Sequence, residues 1–102
     1  MLLKLGVDIS RLCRPIRKQL KFIDSIFQGS GFGEAVVTST YEGNHSPSSL
    51  HYADNAIDFR APKETALITV KDLEKELKDR LGKDFDVILE GNHFHVEYDP
   101  KN

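Results

Sequence analysis

The sequence predicts a single α+β domain in which two main helices pack on one face of a small antiparallel sheet of about four strands. The chain, residues 1–102, suits one domain with a single hydrophobic core. Two segments carry apolar residues at the three- and four-residue spacing of an amphipathic helix. Four shorter segments are rich in β-branched or aromatic residues, which are typical of strands.

The chain is expected to begin with an arm and a helix. Residues 1–14 have no clear period, so we expect an arm laid on the domain. Pro15 suits the first turn of a helix over about residues 15–28, because that turn needs no backbone N–H there. The helix would bury the apolar stripe Ile16, Leu20, Ile23 and Phe27. The glycine-rich segment 29–31 would end it.

Two strands are expected on either side of a polar loop. Residues 34–40 are short and β-branched, and residues 41–49 are polar, as in loops that gather binding residues. Residues 55–60 alternate, which puts Asp58 and Arg60 on one face and the apolar residues on the other. A carboxylate with apolar neighbours in a strand needs a partner, and a metal ion is one candidate.

A second helix and a hairpin complete the predicted fold. Thr69 and Asp72 suit the start of a helix that ends at Gly82 and buries the stripe Val70, Leu73, Leu77 and Leu81. Residues 85–90 and 93–98 are strands joined by the two-residue turn Gly91-Asn92.

The hairpin determines which polar residues of its two strands share a face. A two-residue turn puts Glu90 directly across from His93, with Cβ atoms about 5 Å apart. His95 and Glu97 follow on the same face, while Phe94 points to the other. The predicted sheet therefore has a polar face, with Glu90, His93 and His95, and an apolar face.

The composition excludes several classes of protein. Cys13 is the only cysteine, so an internal disulfide and a cysteine-based zinc site are excluded. A net charge of −2, with both signs interspersed, argues against nucleic-acid binding. The opening apolar segment is too short for a signal peptide, and no run could cross a membrane. We therefore expect a protein that is cytoplasmic as synthesised and has no membrane partner; we also expect a monomer.

Imidazole and carboxylate groups gather in two stretches. His51 and Asp58 lie before and within the second predicted strand, and His93 and His95 lie on the last strand. His51, Asp58 and one of the two later histidines can supply three ligands to a divalent metal. Three protein ligands and an open position for water are typical of catalytic zinc.

These motifs resemble those of a known superfamily. Residues 49–58, Ser-Leu-His-Tyr-Ala-Asp-Asn-Ala-Ile-Asp, resemble the Ser-x-His-x-x-Gly-x-Ala-x-Asp signature of the D-alanyl-D-alanine metallopeptidases. That superfamily includes zinc carboxypeptidases and dipeptidases of bacterial cell walls, phage endolysins and hedgehog amino-terminal domains. Residues 93–95, His-Phe-His, resemble its second signature, and residues 43–52 are similar to the hedgehog version, including the placement of His45.

The resemblance implies a hedgehog- or D,D-peptidase-like fold with zinc bound by His51, Asp58 and His95. The family's ligand is usually the second histidine of His-x-His. In an alternative alignment, residues 90–93 match the Glu-x-x-His of wall dipeptidases, and the first histidine is the ligand instead. The chain departs from the pattern at Asp54, where the family has glycine.

The implied activity is zinc-dependent hydrolysis of peptidoglycan stem peptides, as a carboxypeptidase or endopeptidase of phage or prophage type. Glu90 would be the base and His93 would stabilise the oxyanion, with His45 and Arg60 as candidates for substrate contacts. The alternative is a zinc-binding interaction or virion module, because hedgehog domains bind zinc in this way yet act as binding modules. Asp54 favours the module, whereas Glu90 and His93 favour the enzyme.

Overall fold

Five strands and two helices form the described part of the chain. The computed structural model describes residues 1–40, 55–63 and 69–100. Its elements, in chain order, are β1 Leu2–Leu3, α1 Arg14–Gly29, β2 Val36–Ser39, β3 Ala56–Arg60, α2 Val70–Leu81, β4 Phe85–Glu90 and β5 His93–Tyr98. This is the predicted α+β class, with one five-stranded mixed sheet.

The sheet has the strand order β1-β2-β3-β5-β4. Strands β2, β3, β5 and β4 are antiparallel to their neighbours, as predicted. Strand β1, which lies in the expected N-terminal arm and is not predicted from the sequence, pairs in parallel with β2. The amide of Leu2 donates to the carbonyl of Ala35, and the amide of Lys4 donates to Val37, each over 2.9 Å. The expected antiparallel sheet is therefore mixed, and a two-residue strand is too short to give a periodic signal.

Asp24 of α1 fastens the start of β2 and the first residue of the chain. Its carboxylate accepts hydrogen bonds from the Ala35 amide at 2.8 Å and from the Met1 amino group at 3.2 Å. Burial alone would raise the pKa of Asp24, but these hydrogen bonds and the nearby positive charge lower it. The contact keeps β1, and Lys4 that directly follows it, beside β2.

Both helices form where the sequence predicts them. Pro15 lies in the first turn of α1. At α2 the capping box is complete, because Thr69 accepts from the Asp72 amide at 3.2 Å and Asp72 accepts from the Thr69 amide at 3.1 Å. The predicted stripe of α2 is buried throughout, and α1 buries Ile26 as well as most of its predicted stripe. Neither helix is long and apolar enough to span a bilayer within the described residues.

One apolar core joins the helices to one face of the sheet. The ring of Phe27 on α1 lies 5.9 Å from that of Phe59 on β3 and 6.1 Å from that of Phe94 on β5. All three side chains are fully buried. Since strand residues alternate between faces, the neighbours of Phe59 and Phe94 lie on the opposite face of the sheet.

The β4–β5 turn sets the register of the polar face, and it depends on Gly91. Glu90 pairs with His93 as predicted, and Gly91 has a φ of 57°. A Cβ at this position would meet no atom within 4 Å, so substitutions act through backbone conformation alone. We expect Gly91→Val to lower the free energy of unfolding by about 1–2 kcal/mol.

Urea denaturation of the two variants Gly91→Val and Gly91→Asn measures this effect. The asparagine variant should lose less than half as much stability, because asparagine tolerates the left-handed conformation. Equal losses in both variants would contradict a conformational cause.

Candidate functional site

Polar side chains occupy the face of the sheet opposite the aromatic core. The register of β3, β5 and β4 arranges this face in three rows across the strands. The rows are Arg60–His93–Glu90, then Asp58–His95–Ile88, then Ala56–Glu97–Asp86. The predicted site residues of the described strands therefore fall in the first two rows.

The centre of this face is a histidine held between two carboxylates. His95 Nδ1 lies 2.8 Å from Asp58 Oδ1, and His95 Nε2 lies 2.5 Å from Glu97 Oε1. Asp58 and His95 are each only 8% exposed. With both ring nitrogens protonated, the imidazolium donates one hydrogen bond to each carboxylate.

These contacts determine the charge of His95. Burial alone would lower its pKa, but the hydrogen bonds to Asp58 and Glu97, together with their negative charges, outweigh burial and raise the pKa to about 9. In the metal-free chain His95 is therefore cationic at neutral pH. Its positive charge offsets the cost of burying the Asp58 carboxylate.

His93 and Glu90 lie further from this centre. His93 Nε2 is 3.9 Å from Asp58 Oδ2, and His93 Nδ1 is 3.2 Å from the side-chain oxygen of Asn92. The His93 side chain is 32% exposed. Glu90 is exposed on β4, the edge strand beside β5. The row order thus separates a buried Asp58–His95 pair from a more accessible Glu90–His93 pair.

A cleft of about 510 Å³ opens beside the buried pair. Three predicted site residues, Asp58, Arg60 and His93, contribute to its lining. Two lysines that the sequence analysis did not single out, Lys4 and Lys63, line it as well. The cleft gives a ligand access to the edge of the Asp58–His95 centre.

Three residues of the predicted site are not described. His45, His51 and Asp54 lie outside the described residues. Within residues 1–40, 55–63 and 69–100, no group of three or more His, Cys, Asp or Glu side chains is arranged to hold a metal ion. The ligand set of His51, Asp58 and His95 therefore stays a prediction, with two of its members in contact.

The sequence analysis missed the contact between Glu97 and His95. Alternation predicts that both side chains share a face, but they are successive on that face rather than directly opposed across strands. The available signal was the His-x-Glu spacing of residues 95–97, which aims an imidazole and a carboxylate the same way. No local pattern indicates Lys4 or Lys63, which reach the cleft from separate connections.

Comparison of the chain with protein-family models, with curated proteins and with solved structures finds no match. The likeness to the metallopeptidase superfamily is therefore carried by the residue motifs themselves.

The raised pKa of His95 predicts how stability depends on pH in the metal-free chain. Because folding favours the protonated form, the stabilisation is complete below about pH 6.5 and is lost as pH rises through about 9. The free energy of unfolding should fall by on the order of 2 kcal/mol over that interval, less than the full shift because water at the cleft screens the pair.

Denaturation with a chelator present, at intervals from pH 6 to pH 10, measures this loss. The His95→Gln variant lacks the titrating ring and should show little change over the same interval. A wild-type stability that is flat from pH 6.5 to 9.5 would show that the two carboxylates do not hold the proton.

Proposed function

We propose that the chain is a zinc-dependent peptidase that hydrolyses peptidoglycan stem peptides. The observation that carries the proposal is the contact of Asp58 with His95. These residues are 37 positions apart in sequence, yet their side chains meet at 2.8 Å on the polar face of the sheet. Both belong to motifs that resemble the zinc signatures of the D-alanyl-D-alanine metallopeptidases.

The donor chemistry of this pair fits zinc. Zinc binds imidazole nitrogen and carboxylate oxygen at 2.0–2.2 Å, so two ligand atoms on a tetrahedral ion lie about 3.3 Å apart. The 2.8 Å between His95 Nδ1 and Asp58 Oδ1 is close to that spacing. His51, the third proposed ligand, lies outside the described residues.

Glu97 supports His95 rather than His93 as the ligand. A histidine that binds metal usually donates its other ring N–H to a carboxylate or carbonyl, which fixes the tautomer. Glu97 accepts from Nε2 of His95, which leaves Nδ1, the nitrogen facing Asp58, for the metal. His93 is further from Asp58, at 3.9 Å, and more exposed.

The remaining residues would act on the substrate. Zinc, when bound, would polarise the scissile carbonyl and lower the pKa of water. His93 lines the cleft and would donate to the developing oxyanion, a contribution typically worth about 10²–10³-fold. Glu90, paired with His93 across β4 and β5, would take a proton from the attacking water and pass it to the leaving amine.

The substrate class rests on the resemblance and on a hedgehog- or D,D-peptidase-like form of the α+β fold. Phage members of the superfamily act on the cell wall, so we propose a phage or prophage protein. It would act as a monomer on peptidoglycan or short D-amino-acid peptides, after release from the cell or as part of a virion.

A zinc-binding interaction module is the second candidate. Glu90 is exposed on an edge strand and lies outside the cleft lining, so the proposed base is not held against the buried pair. This observation favours a site that binds zinc and peptide without turnover. The two candidates share the zinc ligands and differ in the role of Glu90.

Elemental analysis of purified protein tests the zinc site. We expect about one zinc per chain in the wild type and almost none in His51→Ala or Asp58→Ala. Asp86→Ala is the matched control, because Asp86 lies on the same face without belonging to the ligand set. Absence of zinc from the wild type would remove the basis of the proposal.

Release of soluble stem-peptide fragments from peptidoglycan tests the activity. A chelator should abolish the release and added zinc should restore it. Glu90→Gln should keep its zinc and lose at least 10²-fold in rate, because the base is missing. A zinc-loaded wild type that releases nothing would identify the interaction module, and full activity in Glu90→Gln would show that Glu90 is not the base.

Glu97→Gln should weaken zinc binding about 10–100-fold by removing the carboxylate that orients His95. Competition against a chromophoric chelator measures the affinity. Asp86→Asn makes the same change of charge on the paired position of β4 and should leave the affinity nearly unchanged. An equal effect of both variants would mean that Glu97 contributes only general negative charge.

A further inference from the structure

A second cleft, of about 390 Å³, lies on the helix side of the sheet. Its walls are the first two turns of α1 and the far ends of the β4–β5 hairpin, through the side chains of Arg14, Pro15, Lys18, Gln19, Phe85 and Tyr98. Tyr98 follows the buried Val96 by two positions along β5, so it shares the apolar face of the sheet. The cleft beside Asp58 has a different lining on the opposite face, and the two clefts are therefore separate sites.

The helix wall of this cleft carries two positive charges. Arg14 and Lys18 are exposed, and within the described part of the chain neither of them forms an ion pair. The described lining also holds no carboxylate. The two cations are four residues apart on one face of α1, where like charges repel and destabilise a helix slightly. In α2 the same spacing instead pairs Lys78 with Glu74, at 3.7 Å. An anion bound between Arg14 and Lys18 would remove a repulsion that α2 avoids.

The sheet wall of the cleft is aromatic and firmly held. Phe85 and Tyr98 pair across β4 and β5, and their ring centroids are 5.4 Å apart. The Tyr98 amide donates to the Asn55 carbonyl at 2.8 Å, and the Phe85 amide donates to the Gly82 carbonyl at 3.3 Å. Across the cleft, the fully buried Ile16 fixes the first turn of α1 on the core. The cleft therefore sets two cations opposite a fixed aromatic surface on which a flat ring can stack.

We infer that this cleft binds a nucleoside monophosphate, with its base against Phe85 and Tyr98 and its phosphate between Arg14 and Lys18. A phosphomonoester carries a charge of about −1.5 to −2 at pH 7, which suits two cations without a carboxylate. A guanidinium can hold two phosphate oxygens through parallel hydrogen bonds, and an ammonium adds a point charge. The inference is independent of the proposed peptidase, because the cleft lies on the other face of the sheet from the proposed zinc ligands.

The dimensions of the cleft also suit a nucleotide. Arg14 and Lys18 are separated by a rise of about 6 Å along the helix, so both long side chains can reach one phosphate. The volume of about 390 Å³ lies within the range of roughly 300–1,000 Å³ that is typical of small-molecule sites. The side-chain amide of Gln19 offers both a donor and an acceptor to the edge of a base. A phenyl ring has no polar edge, so this amide favours a nucleotide over other flat phosphates.

Titration of the ¹⁵N-labelled full chain with adenosine 5′-monophosphate, followed by NMR, tests this site. The nucleotide should shift the amide signals of Lys18, Phe85 and Tyr98. Adenosine and inorganic phosphate should each bind at least tenfold more weakly, because each contacts only one wall. Arg14→Gln should weaken nucleotide binding roughly 10–100-fold, as expected for loss of hydrogen bonds to a charged group. Arg17→Gln is the matched control, an identical change at an exposed position of α1 outside the lining, and should bind as the wild type does.

The remaining arms separate the nucleotide from other ligands and from the proposed zinc centre. A chelator should leave the affinity unchanged, and loss of binding with the chelator would overturn the inference by placing the nucleotide on a metal. Equal losses in Arg14→Gln and Arg17→Gln would overturn it as well, because the helix would then attract any anion. Phenyl phosphate that binds as tightly as the nucleotide would show that the base is not recognised. Absence of binding at millimolar nucleotide would reject the site.

Discussion

The site depends on the compensation of a single buried carboxylate. Asp58 lies on a central strand between Ile57 and Phe59, both of which are fully buried. A buried charge without a partner costs several kcal/mol, so this carboxylate needs a cation at all times. In the metal-free chain the cation is the His95 imidazolium, which Glu97 helps to keep protonated. These three side chains then carry one net negative charge, and a divalent cation that replaces only the proton on Nδ1 of His95 would neutralise it.

That compensation is possible only in one register of the sheet. Asp58 and His95 face each other because β3 and β5 pair with Phe59 opposite Phe94. A slip of either strand by one residue would turn its aromatic ring to the polar face and its site residue into the core. The apolar contacts of Phe27 with these two rings therefore hold the site in place from the opposite face of the sheet. Packing on the apolar face of the sheet therefore determines which side chains meet on the polar face.

The sequence could predict the features that depend on local patterns, but not those that depend on contacts between distant residues. Helices and strands with clear periods were predicted nearly to the residue, and the Gly91 turn correctly fixed the register of Glu90 against His93. Strand β1 was missed, because two residues have no period and their pairing depends on distant hydrogen bonds. No local rule specifies the pairing of β3 with β5 either, since 32 residues separate the end of one from the start of the other. The residues alone group Asp58 with one of the two later histidines, the resemblance to the family motif selects His95, and no pattern predicts the Glu97 contact.

The arrangement of charge on the polar face also links the two candidate functions. At its centre an imidazolium lies between two carboxylates, and exchange of one proton for a divalent metal would neutralise this group. At its margin, Arg60, Lys4 and Lys63 line the cleft. The proposed enzyme and the proposed interaction module would share this centre and would differ in the role of one exposed side chain, Glu90.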